Sequence, residues 1–172
     1  AVFPNQITEL PPPRRRAPRE TVTIFFGALN RQHDWAPIMP ALNEVLRTCP
    51  DKVHFRVVWD RAFFDALECP HKQFDPWCEP EKYHAILADC DLGLLPLEPT
   101  TMNQMKSDLK FIEHASHGVP VLASPVVYDQ VIVDGESGLL YSSTEHFKKQ
   151  LLQLIHDAPL RARLGDRAYA YV

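Results

Sequence analysis

Three charged residues of this chain have types and positions that suit a ligand with phosphate groups and hydroxyls. Arg31 follows a short turn that contains a glycine, Lys106 precedes a predicted helix, and Glu113 lies within that helix. A guanidinium, an ammonium and the N–H groups at a helix start all bind phosphate oxygens, and a carboxylate can accept hydrogen bonds from two ribose hydroxyls. Together these groups predict a site for a nucleotide-sugar or a dinucleotide.

The carboxylate of Glu113 lies on a predicted helix that is apolar on several sides, so we expect it to be largely buried. Ser107 is the predicted N-cap of this helix, Gly118 its left-handed stop, and Pro120 prevents continuation before the next strand. A buried carboxylate needs a partner. That partner can be a bound ligand, or simply Lys110 or a nearby histidine.

Histidine and cysteine residues offer two weaker possibilities for metal binding. His114 and His117 have a spacing of three and can share a helix face, but no third ligand is evident, and structural roles are favoured. Cys69, His71 and Cys78 crowd one segment without the paired spacing of a zinc site. We therefore expect reduced thiols, as in the cytoplasm, and no bound metal.

The composition is that of an ordinary globular domain. The chain has 172 residues, 45% of them hydrophobic, and a formal net charge of −4. The negative charge argues against nucleic-acid binding, which normally needs a broad basic surface. The sequence has no apolar run long enough to span a bilayer and no signal-peptide pattern. It begins without methionine, so we expect a fragment or a processed product.

Two parts of the chain differ in character. Residues 1–20 form a predicted interdomain linker or tail, because the run at 11–19 is rich in proline and arginine. Its basic cluster can also touch an anionic membrane surface, although a solvated linker is favoured. Residues 21–172 form a predicted single domain with its own core.

Strand and helix patterns alternate along this domain. The predicted strands cover residues 21–26, 53–58, 72–74, 91–95, 121–123 and 138–141. The predicted helices cover residues 36–48, 63–67, 81–87, 145–156 and 160–171, in addition to the helix that holds Glu113. Such alternation predicts an α/β fold with an open parallel sheet and helices on both faces.

Ligands of an open parallel sheet bind outside the carboxyl ends of its strands. This rule selects four loops of the chain, at residues 27–31, 74–77, 96–106 and 124–128. The loops bring both cations to the same edge as the helix that holds Glu113. A dinucleotide is less suitable, because the turn at 27–32 is not a G-x-G-x-x-G turn.

Several of these segments resemble the donor-binding, carboxy-terminal domain of retaining GT-B-fold glycosyltransferases, of the kind called glycosyl transferases group 1 or family 4-like. The most specific match is the run 106–124 with its Gly118-Val-Pro-Val-Leu-Ala-Ser ending, which continues to 134–140. Segments 26–31, 83–96 and 2–7 resemble the first strand with its phosphate-facing loop, a later strand ending in proline, and the exit from the amino-terminal domain. The resemblance implies the Rossmann-like, carboxy-terminal half of a GT-B fold.

The resemblance also implies roles for individual residues. Glu113 matches the second glutamate of the family's E-x7-E motif, which binds the ribose hydroxyls. The first glutamate, which contacts the donor sugar, corresponds to Met105 in this chain. The chain therefore departs from the family pattern where the sugar should bind.

The remaining donor-binding residues are expected around the diphosphate and the base. Gly27 opens the phosphate-facing loop, Arg31 and Lys106 stand in for the phosphate-binding arginine and lysine, and backbone amides at Leu109 approach the diphosphate. Phe74 lies near the loop that lines the base pocket. The resemblance assigns no catalytic residue to this chain.

The implied activity is transfer of a hexose-type sugar from a nucleotide-diphosphate donor, with retention, to a glycan or lipid-linked acceptor in bacterial polysaccharide biosynthesis. The acceptor site would belong to a missing amino-terminal domain, and no metal or other cofactor is expected. Such an enzyme would be cytoplasmic, with possible peripheral contact at the inner membrane face. The alternatives are a non-catalytic sugar-nucleotide-binding or interaction domain and a fragment of a GT-B-fold nucleotide-sugar epimerase.

Overall fold

A parallel sheet lies at the centre of this computed structural model, which describes residues 5–7, 9–13 and 19–172. Within those residues the sheet has six strands. They are β1 (Val22–Gly27), β2 (Val53–Val58), β3 (Lys72–Asp75), β4 (Leu92–Leu95), β5 (Val121–Ala123) and β6 (Leu139–Leu140). The basic cluster of the predicted linker and part of the family match at 2–7 fall outside the described residues.

The strand order is β3-β2-β1-β4-β5-β6, with every neighbouring pair parallel. Strand β1 pairs with β2 from Val22 opposite Val53 to Gly27 opposite Val58, and on its other side it pairs with β4. The chain order reverses between β1 and β4. A crevice forms at such a reversal, outside the carboxyl ends of the strands, and ligands of open sheets bind there. The predicted fold class is therefore confirmed.

Helices cover both faces of the sheet. They are α1 (Gln32–Trp35), α2 (Met39–Thr48), α3 (Arg61–Ala66), α4 (Pro80–Ala88), α5 (Thr101–Gln104), α6 (Leu109–Ser116), α7 (Thr144–His156) and α8 (Ala158–Tyr171), with a 3₁₀ turn at Tyr128–Gln130. Alternate residues of β1 serve the two faces, since Ile24 and Phe26 join the core beneath α2, α3 and α7, whereas Phe25 packs beneath α4. This alternation follows from the period of two in a strand.

The start of α6 differs from the prediction. Asp108, not Ser107, is the N-cap residue, and its side chain makes no capping hydrogen bond to the helix. The Asp108 carboxylate instead accepts a hydrogen bond of 2.6 Å from the side-chain amide of Asn5. The end of the helix agrees with the prediction, because Gly118 has a φ of 62°, which glycine adopts without the strain of a Cβ.

The short helices α1 and α5 were not predicted from the sequence. Both have four residues, too few for a periodic apolar pattern, and both lie in loops at the carboxyl edge of the sheet. Helix α1 occupies part of the segment between β1 and α2, so that α2 begins at Met39 rather than at residue 36. These two helices carry residues of the candidate site.

The four cysteines are buried free thiols. Cys69 belongs to the core on one face of the sheet, and Cys78 to the core on the other face. The hypothetical metal cluster of Cys69, His71 and Cys78 is therefore wrong, because the sheet separates its two sulfurs. In the part of the chain that the structure describes, no helix is both long enough and apolar enough to cross a membrane.

Candidate functional site

A buried carboxylate, Asp34, brings the two predicted cations together. Arg31 Nη1 lies 3.8 Å and Lys106 Nζ 3.7 Å from the same oxygen, Asp34 Oδ2. Asp34 is only 6% exposed. A loop after β1 and a loop after β4 are thus joined through one acidic side chain, at the edge of the sheet that the strand order predicts for ligands.

The second oxygen of Asp34 is held by the loop after β4. Asp34 Oδ1 accepts hydrogen bonds from the backbone N–H of Glu98, at 3.1 Å, and from the side-chain amide of Asn103, at 2.5 Å. The Asn103 amide also donates to the Glu98 carbonyl, and its Oδ1 accepts from Lys106 Nζ. Thr100 caps α5 by accepting from the Asn103 N–H, which fixes the asparagine in place.

The electrostatics of this cluster leave an excess of positive charge. Burial and the nearby Arg31 lower the pKa of Lys106 from its usual value, while Asp34 opposes that change. Two cations face one carboxylate, and the side chains of Arg31 and Lys106 keep 39% and 21% of their surface exposed. A cluster of this kind can accept an anion with two or more negative charges, such as a diphosphate.

Glu113 is held in a second cluster, on the carboxyl side of β1. Its Oε2 lies 2.9 Å from Lys110 Nζ and accepts a 3.3 Å hydrogen bond from the Tyr83 hydroxyl. Lys110 Nζ also donates to that hydroxyl, at 2.8 Å. The expected pairing of Glu113 with Lys110 is therefore present, and the Glu113 side chain retains 15% exposure. A ribose would have to share this carboxylate with Lys110 and Tyr83.

Tyr83 is the centre of this second cluster. Burial and the Glu113 carboxylate raise the pKa of Tyr83, so the phenol stays protonated and can donate. Its ring stacks on Trp59 with 5.2 Å between centroids, and it meets Phe25 edge-on at 5.4 Å. Trp59 has a φ of 78°, a left-handed backbone conformation that costs about 1–3 kcal/mol in a residue other than glycine. Strain of this size is common at functional sites.

Gly27 is required by the packing of this cluster. A Cβ at position 27 would lie 2.6 Å from the Phe25 ring and 2.9 Å from Tyr83 Cε2. Only glycine fits beneath Tyr83, so the predicted loop glycine directly adjoins the Glu113 cluster.

The other predicted donor-binding residues lie in different environments. Leu109 is the first residue of α6 and is 40% exposed, so its amide belongs to the helix start, where N–H groups lack intrahelical partners. Phe74 packs against Phe64, with 5.6 Å between ring centroids, on the face of the sheet opposite Tyr83. The structure therefore does not bring the Phe74 ring together with the Glu113 cluster. Met105, at the end of α5, is 82% exposed.

The two histidines near Glu113 point to different neighbours. His114 is buried, its Nδ1 donates to the Lys110 carbonyl at 2.6 Å, and its ring packs against Gly93 of β4. Burial lowers the pKa of His114 to about 4, so the ring is neutral near pH 7. His117 Nε2 instead contacts His84 Nδ1 at 3.1 Å. Among the described residues no group of three or more His, Cys, Asp or Glu side chains is arranged to hold a metal.

Three residues that complete the two clusters were not predicted from the sequence, namely Asp34, Tyr83 and Asn103. Lys110 was expected only as a possible partner of Glu113, and the structure places it there. A simple spacing rule could have found some of them, since Asp34 follows Arg31 by three residues and Asn103 precedes Lys106 by three. Tyr83 gives no such signal, because it reaches Glu113 from a separate helix across 30 positions in the chain.

Comparison with known proteins gives one family and a set of similar folds. The family model described as glycosyl transferases group 1 matches residues 20–157 of this chain. Among curated proteins none matches the chain significantly in sequence.

Three solved structures illustrate the similarity in fold. The carboxy-terminal domain of LpcC, a glycosyl transferase group 1 family protein from Francisella tularensis, has 19% identity and a TM-score of 0.69 over 90% of this chain and 85% of that one. A mutant of S. aureus TarM in complex with fondaparinux, alpha-GlcNAc-glycerol and UDP has 15% identity and a TM-score of 0.69, over 91% of this chain and 34% of TarM. HepE from Anabaena, in complex with UDP and glucose, has 17% identity and a TM-score of 0.66, over 88% of this chain and 43% of HepE.

Identities this low show a common fold and leave the ligand of this chain open. The chain spans about a third of the length of TarM and less than half of that of HepE.

Proposed function

Because this chain belongs to the family of glycosyl transferases group 1, we propose that it is the donor-binding domain of a glycosyltransferase. Its ligand is a nucleotide-diphosphate sugar, and the whole enzyme transfers a hexose-type sugar with retention to a glycan or lipid-linked acceptor. The acceptor and the groups that activate it lie in a further domain. The UDP found with TarM and with HepE supports a nucleotide diphosphate as the ligand class.

The observation that carries this proposal is the arrangement of Arg31 and Lys106 around Asp34 at the strand-order reversal. The two cations belong to separate loops at this edge. Helix α6 also begins there, because it connects the parallel neighbours β4 and β5, so its first N–H groups are available to the diphosphate. When the bond between the sugar and the diphosphate breaks, its electrons go to the phosphate oxygen. Preorganised positive charge stabilises that leaving group, and this is the contribution of the domain to catalysis.

Glu113 and Tyr83 supply the nucleoside side of the site. Glu113 accepts hydrogen bonds from ribose hydroxyls, and Lys110 and Tyr83 keep its Oε2 fixed before the ligand arrives.

Isothermal titration calorimetry with UDP, GDP and ADP tests the proposal. We expect one of these ligands to bind, and the double variant Arg31→Met with Lys106→Met to weaken binding by at least tenfold, since each lost charged hydrogen bond costs about 1.5–3 kcal/mol. The matched control is Arg47→Met with Lys148→Met, because both residues form surface ion pairs on α2 and α7. No binding of any nucleotide, or an equal loss in the control, refutes the proposal.

A non-catalytic nucleotide-binding domain is the second candidate, and Met105 favours it. This side chain is 82% exposed at the position where the family has its sugar-contacting glutamate. If the domain only senses nucleotides, Met105→Glu will increase affinity for a nucleotide-sugar but not for the free nucleotide diphosphate. Sugar transfer by the full-length protein with Met105 in place refutes this second candidate.

A further inference from the structure

We propose that Asp34 is a positioning residue, which holds Arg31 and Lys106 at the spacing that a diphosphate requires. This inference rests on the proposed function in taking a diphosphate as the ligand. Asp34 acts through the two cations and does not itself touch the ligand.

The hydrogen bonds of Asp34 leave it no role as a direct ligand. Its Oδ1 accepts from Glu98 N–H and from the Asn103 amide, and its Oδ2 faces both cations. A carboxylate also repels phosphate oxygens. Its burial at 6% exposure is compensated by two hydrogen-bond donors and two cations, all of which belong to the protein.

The distances explain how one carboxylate can hold two cations and still leave them available. Both N–O separations, 3.8 and 3.7 Å, are longer than a close hydrogen-bonded ion pair. Toward Asp34, neither cation therefore uses its best donor geometry. Lys106 Nζ donates one hydrogen bond to Asn103 Oδ1, and the remaining donors of both cations can bind a phosphate oxygen. Without the charge of Asp34, nothing in this ion-pair cluster would compensate the repulsion between the two cations.

The charges around Lys106 set the sign of the expected pH effect. Arg31 and burial lower the pKa of Lys106, and Asp34 raises it. Loss of the Asp34 charge must therefore lower the pKa of Lys106 further, and loss of Arg31 must raise it. Burial raises the pKa values of Tyr128 and Tyr141, which also face this cluster, so both stay neutral while Lys106 titrates. The acidic groups that act on these tyrosines are Asp34, Glu98, Asp108 and Glu113.

The test is titration of inorganic pyrophosphate into the protein from pH 7 upward, with Asp34→Asn as the variant. We expect roughly tenfold weaker binding at pH 7, and loss of binding at alkaline pH to begin at a lower pH than in the wild type. Asp60→Asn is the control, since Asp60 is equally buried but accepts from the Phe63 N–H and the Trp35 indole N–H. Asp60→Asn should not shift the alkaline limb, which is the part of the pH profile where pyrophosphate binding is lost.

Two further variants separate positioning from folding. In a background with Arg31→Met and Lys106→Met, Asp34→Asn should have no additional effect on pyrophosphate affinity. Arg31→Gln replaces a half-exposed side chain and should move the alkaline limb to higher pH, which tests the coupling of the three charges even if Asp34→Asn does not fold.

The outcomes are distinct for the two proposals. Unchanged or tighter pyrophosphate binding by Asp34→Asn, or an alkaline limb that neither Asp34→Asn nor Arg31→Gln moves, overturns the positioning role. If pyrophosphate binds with the expected dependence on Asp34 but UDP, GDP and ADP bind no better than pyrophosphate, the proposed donor-binding function fails and the role of Asp34 remains.

Discussion

The sharpest prediction concerns the ribose-binding role of Glu113. Replacing Glu113 by alanine removes the carboxylate that we propose as the acceptor for two ribose hydroxyls. A hydrogen bond to a charged group contributes about 1.5–3 kcal/mol, so deleting one hydroxyl from the ligand should weaken wild-type binding roughly tenfold to a hundredfold. The protein should remain folded, because the Lys110–Glu113 pair keeps 32% and 15% exposure and, discounted for solvent screening, is worth at most about 1 kcal/mol.

The assay compares UDP with 2′-deoxy-UDP by calorimetry, in the wild type and in Glu113→Ala; if GDP or ADP is the nucleotide that binds, it and its 2′-deoxy form take their place. The wild type should prefer UDP, and the variant should bind the two ligands equally, because the group that distinguishes them is gone. Glu136→Gln, a change at an exposed glutamate, should keep the wild-type preference. If Glu113→Ala weakens both ligands by the same factor and the preference for UDP persists, Glu113 does not bind the ribose, and its contacts with Lys110 and Tyr83 serve only the fold.

Three further predictions concern the packing around the two clusters. Gly27→Ala should lower the free energy of unfolding by about 1–3 kcal/mol, because the new methyl group overlaps Tyr83; urea denaturation checks this, and an unchanged midpoint contradicts it. The pKa of His114 is lowered to about 4 in the folded state, whereas in the unfolded state it has its ordinary value of about 6.5. Between these pH values the unfolded state binds more protons, so the free energy of unfolding should decrease by about 3 kcal/mol as the pH is lowered from about 6.5 to about 4. His114→Asn should flatten that part of the stability profile, and a profile with the wild-type slope refutes the assignment. Asn103→Ala removes a donor from the buried Asp34 carboxylate and should cost about 1–3 kcal/mol of stability; thermal unfolding with the wild-type midpoint would show that water replaces the amide.

Strong local patterns explain why most of the fold could be predicted. Strand β1 and strand β2 are continuous apolar or alternating runs, and the stop of α6 at Gly118 and Pro120 has specific backbone requirements. The short helices α1 and α5 were missed since four residues give no helical period. The N-cap of α6 was misplaced by one residue, and the Asp108 side chain accepts a hydrogen bond from Asn5, 103 positions away, which no local pattern could have predicted.

The sequence by itself determined the alternation of strands and helices, and it predicted a ligand site, with three charged residues, at the carboxyl edge of the sheet. Only the tertiary structure decided which groups surround those charges. Asp34 joins Arg31 to Lys106, and Tyr83 joins Glu113 to Lys110, through contacts between separate elements. The physical reason is that local propensity depends on neighbours in the chain, whereas the partner of a buried charge is set by how the loops of different strands meet. Phe74 illustrates the same point. The sequence predicted it near the base pocket, but its strand places the ring on the face of the sheet opposite Tyr83.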